Sequence, residues 1–184
     1  WVDNYVCSDE ESVAHRDDPL DDLYPDQAIL APEEHPFPYA AVRRYTTLFI
    51  DMPVYLEAVL HDFVTMGGQI EVREFTDTAE LEGLSQPVIV NCTGIGARDL
   101  FGDEEMTPVK GQLTVLLPQP EVDYITLAGN LYMFPRRDGI LLGGTTERDV
   151  WDLEVNEEAE SDVLQGHARF FGGFPGKQPH VTAS

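Results

Sequence analysis

The sequence predicts an α/β fold across its 184 residues, from three patterns. Apolar residues at helical spacing from Leu56 to Met66 run through Gly67-Gly68 into a segment that alternates with a period of two. A compact apolar run, Pro87 to Cys92, leads into a glycine turn and a short helix. Three further runs rich in β-branched and aromatic residues lie between residues 112 and 145.

Residues 1–40 carry dense loop signals: Asp9-Glu10-Glu11, Asp17-Asp18-Pro19, Asp21-Asp22, then Pro25, Pro32, Pro36 and Pro38. Proline fixes φ and lacks a donor, so an extended acidic loop is expected here, without regular helix or central strand over most of its length. Asp51 can cap a helix whose first turn accepts Pro53, with Leu56, Val59, Leu60, Phe63 and Met66 on one face and Gly67-Gly68 as its stop. Gln69 to Phe75 then reads as a half-buried strand, Ala79 to Leu84 as a short acidic helix, and Val88 to Cys92 as a strand covered on both faces. Strands are expected at 112–117, 127–134 and 139–145, the last two joined by a hairpin through Arg136-Arg137-Asp138-Gly139. Glu157 to Phe171 predicts a closing helix with Ala159, Val163, His167 and Phe170 on one face, and the tail from Pro175 has no periodicity.

The chain carries 34 Asp+Glu against 11 Lys+Arg, a formal charge of −23 at pH 7, and its lysines are Lys110 and Lys177. Nucleic acid and anionic membrane surfaces recruit Lys/Arg patches, so neither is an expected partner. No apolar run approaches the roughly 20 residues of a membrane helix. Cys7 and Cys92 form neither a disulfide framework nor a metal-binding pattern, and Cys92 is expected as a small buried residue. His15, His35, His61, His167 and His180 are scattered, and His61 and His167 read as helix-face residues. Arg136 and Arg137 have the chemistry to clamp a carboxylate, but their place in a turn favours solvent. Trp1 in place of Met suggests a processed chain or a fragment, and the compartment is open, with the cytoplasm favoured.

The stretch Val88 to Arg98 holds most of the chemistry that can be read locally. An apolar strand that runs into Gly94-x-Gly96 lets backbone groups approach a phosphate or ribose closely, although glycines at such turns often serve only the turn. The blocks Val90-Asn91-Cys92-Thr93-Gly94-x-Gly96-Ala97, Pro108-Val109-Lys110-Gly111-Gln112-Leu113, Tyr132-x-x-Pro135 and Leu142-Gly143-Gly144-Thr145, in that order, resemble the D-amino-acid oxidase family of FAD-dependent oxidoreductases. The resemblance covers about residues 40 to 170. It lacks the family's opening GxGxxG segment and its later carboxylate-binding arginine.

The resemblance implies part of an FAD-binding Rossmann-like domain interleaved with a mixed-sheet substrate domain. Residues 1–40 would be the loop region, 41–107 mainly FAD-binding elements, 108–150 the substrate sheet, and 151–184 the closing helix and tail. By position it places Cys92, Thr93, Gly94 and Phe75 at the FAD and Tyr132 at the substrate carboxylate, while a second pocket tyrosine of some members is Ala128 here. The implied reaction is oxidation of a D-amino acid or similar amine to an imine, by hydride transfer to FAD with O₂ as acceptor. A homodimer is a further expectation. A glycine- or sarcosine-type amine oxidase and a noncatalytic acidic interaction module are the alternatives.

Overall fold

The computed structural model describes residues 1–9, 21–172 and 179. The expected loop signals at 10–20, the tail from Pro175 apart from Pro179, His15 and His180 lie outside the described residues. The chain divides into two compact units, one of residues 1–52, 111–146 and 153–184, the other of 53–110 and 147–152.

The first unit is built on a seven-stranded mixed sheet. Its strands in chain order are β1 (Val2–Ser8), β2 (Ala28–Leu30), β3 (Ala41–Thr47), β5 (Leu113–Leu116), β6 (Tyr124–Ala128), β7 (Leu131–Arg136) and β8 (Gly139–Gly143), arranged β2-β3-β1-β6-β7-β8-β5. Only β1 and β6 pair in parallel; every other neighbour is antiparallel. This corrects the expectation of a loop over residues 1–40, because β1 is an interior strand with β3 on one side and β6 on the other. The acidic and proline signals begin only after Ser8, so their composition hid the short strand before them.

The expected 127–134 strand is two strands. Ala128 pairs with Leu131 around a two-residue Gly129-Asn130 turn, and Gly129 takes φ 60°, the left-handed conformation such a turn needs. The Arg136–Gly139 hairpin forms as expected. The long helix, called α4 here, spans Glu157–Phe171; Asn156 caps it by accepting the Ala159 N–H at 3.1 Å. Gln112 fastens that cap to the sheet, accepting the Asn156 N–H at 2.8 Å and donating to its carbonyl at 3.1 Å. Along α4, Val163, His167, Phe170 and Phe171 are buried. They cover one face of the sheet, where Cys7, Val42, Ala128, Met133, Ile140 and Leu142 form the core.

The second unit holds α1 (Met52–Thr65), α2 (Thr78–Glu82), α3 (Ala97–Phe101) and the two-stranded pair of β4 (Val109–Lys110) with β9 (Glu147–Arg148). Gly67 ends α1 at φ 93°, with its N–H on the Val64 carbonyl (3.0 Å) and the Gly68 N–H on Phe63 (2.9 Å). That is the hydrogen-bond pattern of a left-handed glycine cap. Asp77 caps α2 on the Ala79 N–H at 2.8 Å.

The expected strands at 69–75 and 88–92 do not form, and α1 buries no residue. Val72 is 99% exposed and Val90 78%. Their composition favours extended backbone, but a strand exists only by its ladder, and no neighbouring strand pairs with either segment among the described residues.

Candidate functional site

Alternation along the strands of the first unit gives the sheet two chemically different faces. The α4 side is the apolar core. The opposite side presents Tyr132, Phe134 and Gly143, neighbours through the register Tyr132↔Gly143 and Phe134↔Leu141. A β-carbon on Gly143 would lie 2.0 Å from Cζ of Tyr132, so the glycine lets the phenol ring lie directly on the neighbouring strand. The Phe134 ring sits 5.5 Å away at 55°, and Phe49 stacks on Phe134 at 6.0 Å and 6°. Tyr132 is half-buried, and its hydroxyl has no hydrogen-bond partner among the described residues. The arrangement fixes an aromatic ring, excludes water along one side of it, and leaves an O–H to donate.

His167 supports this position from the far side of the sheet. It is fully buried, and its Nε2 lies 3.2 Å from the Gly143 carbonyl, which fixes the neutral ring with its proton on Nε2. Burial pulls its pKa below the ordinary value, against the opposing effect of the Gly143 bond. Its Nδ1 is buried without a partner among the described residues, so a second ring proton would have nothing to bond there. The helix-face expectation holds, and the ring also reaches β8, the strand paired with the one that carries Tyr132.

Sequence reasoning missed Gly143, Phe134, Phe49 and His167 as a set, since cross-strand register alone brings them together. It also missed Asn4, which is buried and donates from Nδ2 to the Tyr45 hydroxyl at 2.7 Å. Arg136 forms a two-pronged ion pair with Asp138 in its own turn. Arg137 is 84% exposed in its side chain and 3.9 Å from Asp51. Arg137 therefore faces solvent, as its turn position indicates, while Arg136 is half-buried against the acid of its own turn.

The remaining positions expected at a cofactor lie in the second unit. Asn91 Oδ1 accepts both the N–H (3.1 Å) and the hydroxyl (2.7 Å) of Thr93, locking the turn. Gly94 follows at φ 59° with no atom within 4 Å of a β-carbon built on it, so its backbone is open to close approach. A single 3-10 turn, Gly94–Gly96, leads into α3. Arg98 of α3 donates to the Met106 carbonyl at 2.7 Å and lies over the Trp151 ring at 5.0 Å, holding the following loop in place. Cys92 is exposed, which corrects its reading as a buried residue: the run that carries it lies outside any sheet and covers nothing. Phe75 is half-buried beneath the Arg73 guanidinium, 4.8 Å from its ring centre, and Arg73 pairs with Glu80 at 3.3 Å. Among the described residues no cluster of His, Cys, Asp or Glu has the arrangement of a metal centre, and no helix is long and apolar enough to cross a membrane.

The chain is similar to known proteins over much of its length. A D-amino-acid oxidase of Streptomyces coelicolor is 36% identical over 122 residues, 63% of this chain and 37% of that protein. A human D-aspartate oxidase is 34% identical over 127 residues, 68% of this chain and 37% of its own length. A D-amino acid oxidase of Dugesia ryukyuensis is 30% identical over 113 residues, 60% of this chain and 34% of its own. The chain thus spans little more than a third of the length of these relatives. The model of the FAD-dependent oxidoreductase family matches residues 8–183, and by that match over nearly its whole length the chain belongs to this family.

Proposed function

We propose that the protein is a D-amino-acid oxidase, with the seven-stranded sheet forming the substrate-binding side and the second unit forming part of the FAD-binding domain. The observation that carries this reading is the Tyr132 phenol, fixed on Gly143 and open at its hydroxyl.

The residues around Gly94 fit FAD. An open glycine in the left-handed region, after a turn locked by Asn91, leaves room for a bulky group against the backbone. Thr93 already donates both its N–H and its hydroxyl to Asn91, so it meets such a group only as an acceptor. Cys92, Thr93 and Gly94 would hold the cofactor at this turn, and Phe75 would pack against its adenosine part. The chemistry that FAD supplies when bound is uptake of a hydride from the substrate Cα, with O₂ as final acceptor.

The chain's own residues would do the positioning. Tyr132 donates its O–H to the substrate carboxylate and thereby orients the Cα–H bond. Phe134 and Phe49 keep water from one side of the ring, strengthening that hydrogen bond. The balanced reaction takes a D-amino acid and O₂ to the imino acid and hydrogen peroxide, and no general base is assigned among these residues.

The test is the purified protein, with the adjoining sequence its relatives contain, loaded with FAD and assayed for peroxide. Release with D-amino acids, and none with their L-enantiomers, is expected. Turnover of sarcosine or glycine alone would move the protein to the amine-oxidase alternative, and failure to take up FAD would favour the noncatalytic module.

A further inference from the structure

On the α4 side of the first unit's sheet, away from Tyr132, a cavity of about 630 Å³ opens at the start of β1. Alternation along β1 turns Asp3 and Tyr5 to this side, together with Cys7 of the core. Register brings Thr46 and Arg44 of β3 beside Asp3 and Tyr5, and Tyr124 of β6 beside Asp3. The loop after β2 lines the rest, with Glu34, His35 and Phe37.

His35 distinguishes this cavity from an ordinary surface hollow. The residue is only 8% exposed, yet neither ring nitrogen has a hydrogen-bond partner among the described residues. A neutral imidazole offers one N–H donor and one acceptor, and a buried polar group without partners points to something that supplies them. The Phe37 ring, 6.0 Å from that of His35, holds the imidazole at the cavity wall.

The lining also selects the ligand by charge. Asp3, Glu34 and Asp123 are acidic, and Arg44 is the basic residue among them. Glu34 already accepts the Ala31 N–H at 2.8 Å, and the Arg44 guanidinium stands beside the Tyr5 phenol. A simple anion would meet three carboxylates. A simple cation would be repelled by Arg44 and would leave the His35 N–H without an acceptor. Tyr5, Phe37 and Tyr124 add an aromatic wall, with Tyr5 centred 5.2 Å from Phe37 and 5.9 Å from Tyr124. We propose that this cavity is a second binding site, for a free zwitterionic α-amino acid: its carboxylate on Arg44 and His35, its ammonium on Asp3 and Asp123, and its side chain against the aromatic wall. The volume lies within the range of small-molecule pockets. The site is independent of the oxidase reading, because it uses the opposite face of the sheet.

The test is an NMR titration of the isotope-labelled, FAD-loaded protein with L-leucine, with 3-methylbutylamine, which lacks the carboxylate, and with 4-methylpentanoate, which lacks the ammonium. L-Leucine should shift the resonances of Asp3, Tyr5 and His35 while Tyr132 stays unmoved, and each half-ligand should bind at least about tenfold more weakly. His35→Phe and Arg44→Met should each weaken L-leucine about tenfold, with Asp3→Asn as a near-isosteric third variant should either of these fail to fold. Equal binding by the amine, shifts centred on Tyr132, or no shift at tens of millimolar L-leucine would overturn the proposal. Peroxide release with D-amino acids is read separately, so loss of the oxidase reading leaves this result standing.

Discussion

The Tyr132 ring occupies the place where a side chain on Gly143 would stand, with Cζ, Cε2 and Oη at 2.0, 2.2 and 2.4 Å from the position of a β-carbon there. Gly143→Ala should therefore displace the ring and not merely crowd it. A destabilisation of about 1–3 kcal/mol is expected, the usual cost of overpacking. Denaturant melts of the variant against wild type measure it, and an unchanged midpoint would show that the ring swings aside freely.

Tyr132→Phe separates binding from packing. The hydroxyl has no partner among the described residues, so stability should change by no more than about 0.5 kcal/mol. If Tyr132 holds the substrate carboxylate, KM for a D-amino acid should rise about tenfold, the loss expected for one hydrogen bond to a charged group. An unchanged KM removes Tyr132 from the site.

His167 makes stability depend on pH. Burial holds its pKa below the ordinary 6.5, so between 6.5 and the lower folded value the unfolded chain binds more protons than the native one. Stability should therefore fall as pH drops below 6.5 through that folded value. His167→Gln, which keeps a donor for the Gly143 carbonyl and does not titrate, should flatten the curve between pH 6.5 and about pH 5, above the main carboxylate range. Urea midpoints across that interval test the difference.

The two cysteines should react unequally. Cys7 is 2% exposed, and burial pushes its thiol up to about 12, whereas Cys92 is exposed. Brief alkylation of the native protein should label Cys92 and leave Cys7 untouched until denaturation. If Cys92 lies at the FAD site, saturating FAD should slow its labelling, and mass spectrometry of the two peptides reads both effects.

What could be read from sequence divides along the range of the interaction. Helices α1 and α4 and the Arg136–Gly139 hairpin were legible because their signals are local: a cap, a glycine stop, a turn dipeptide, an apolar period. Strands β1 and β3 were not, since their place in the sheet depends on partners far along the chain. Segments 69–75 and 88–92 show the converse. Val72 and Val90 have strand-forming side chains, and no ladder among the described residues claims them. At the site, Tyr132 was identified only through the family resemblance, and its fixing by Gly143 and Phe134 needed the register.

The parallel pairing of β1 with β6 also dictates an order of events as the chain is made. Asp3 cannot meet Tyr124 until the chain has been made as far as β6. Until then β1 can pair only with β3, and its other edge stays open. Closing so long a loop is entropically costly and slow, so completion of the sheet should set the folding rate of the first unit. The hairpins from Tyr124 to Gly143 can form locally, and they provide the template on which β1 is finally captured.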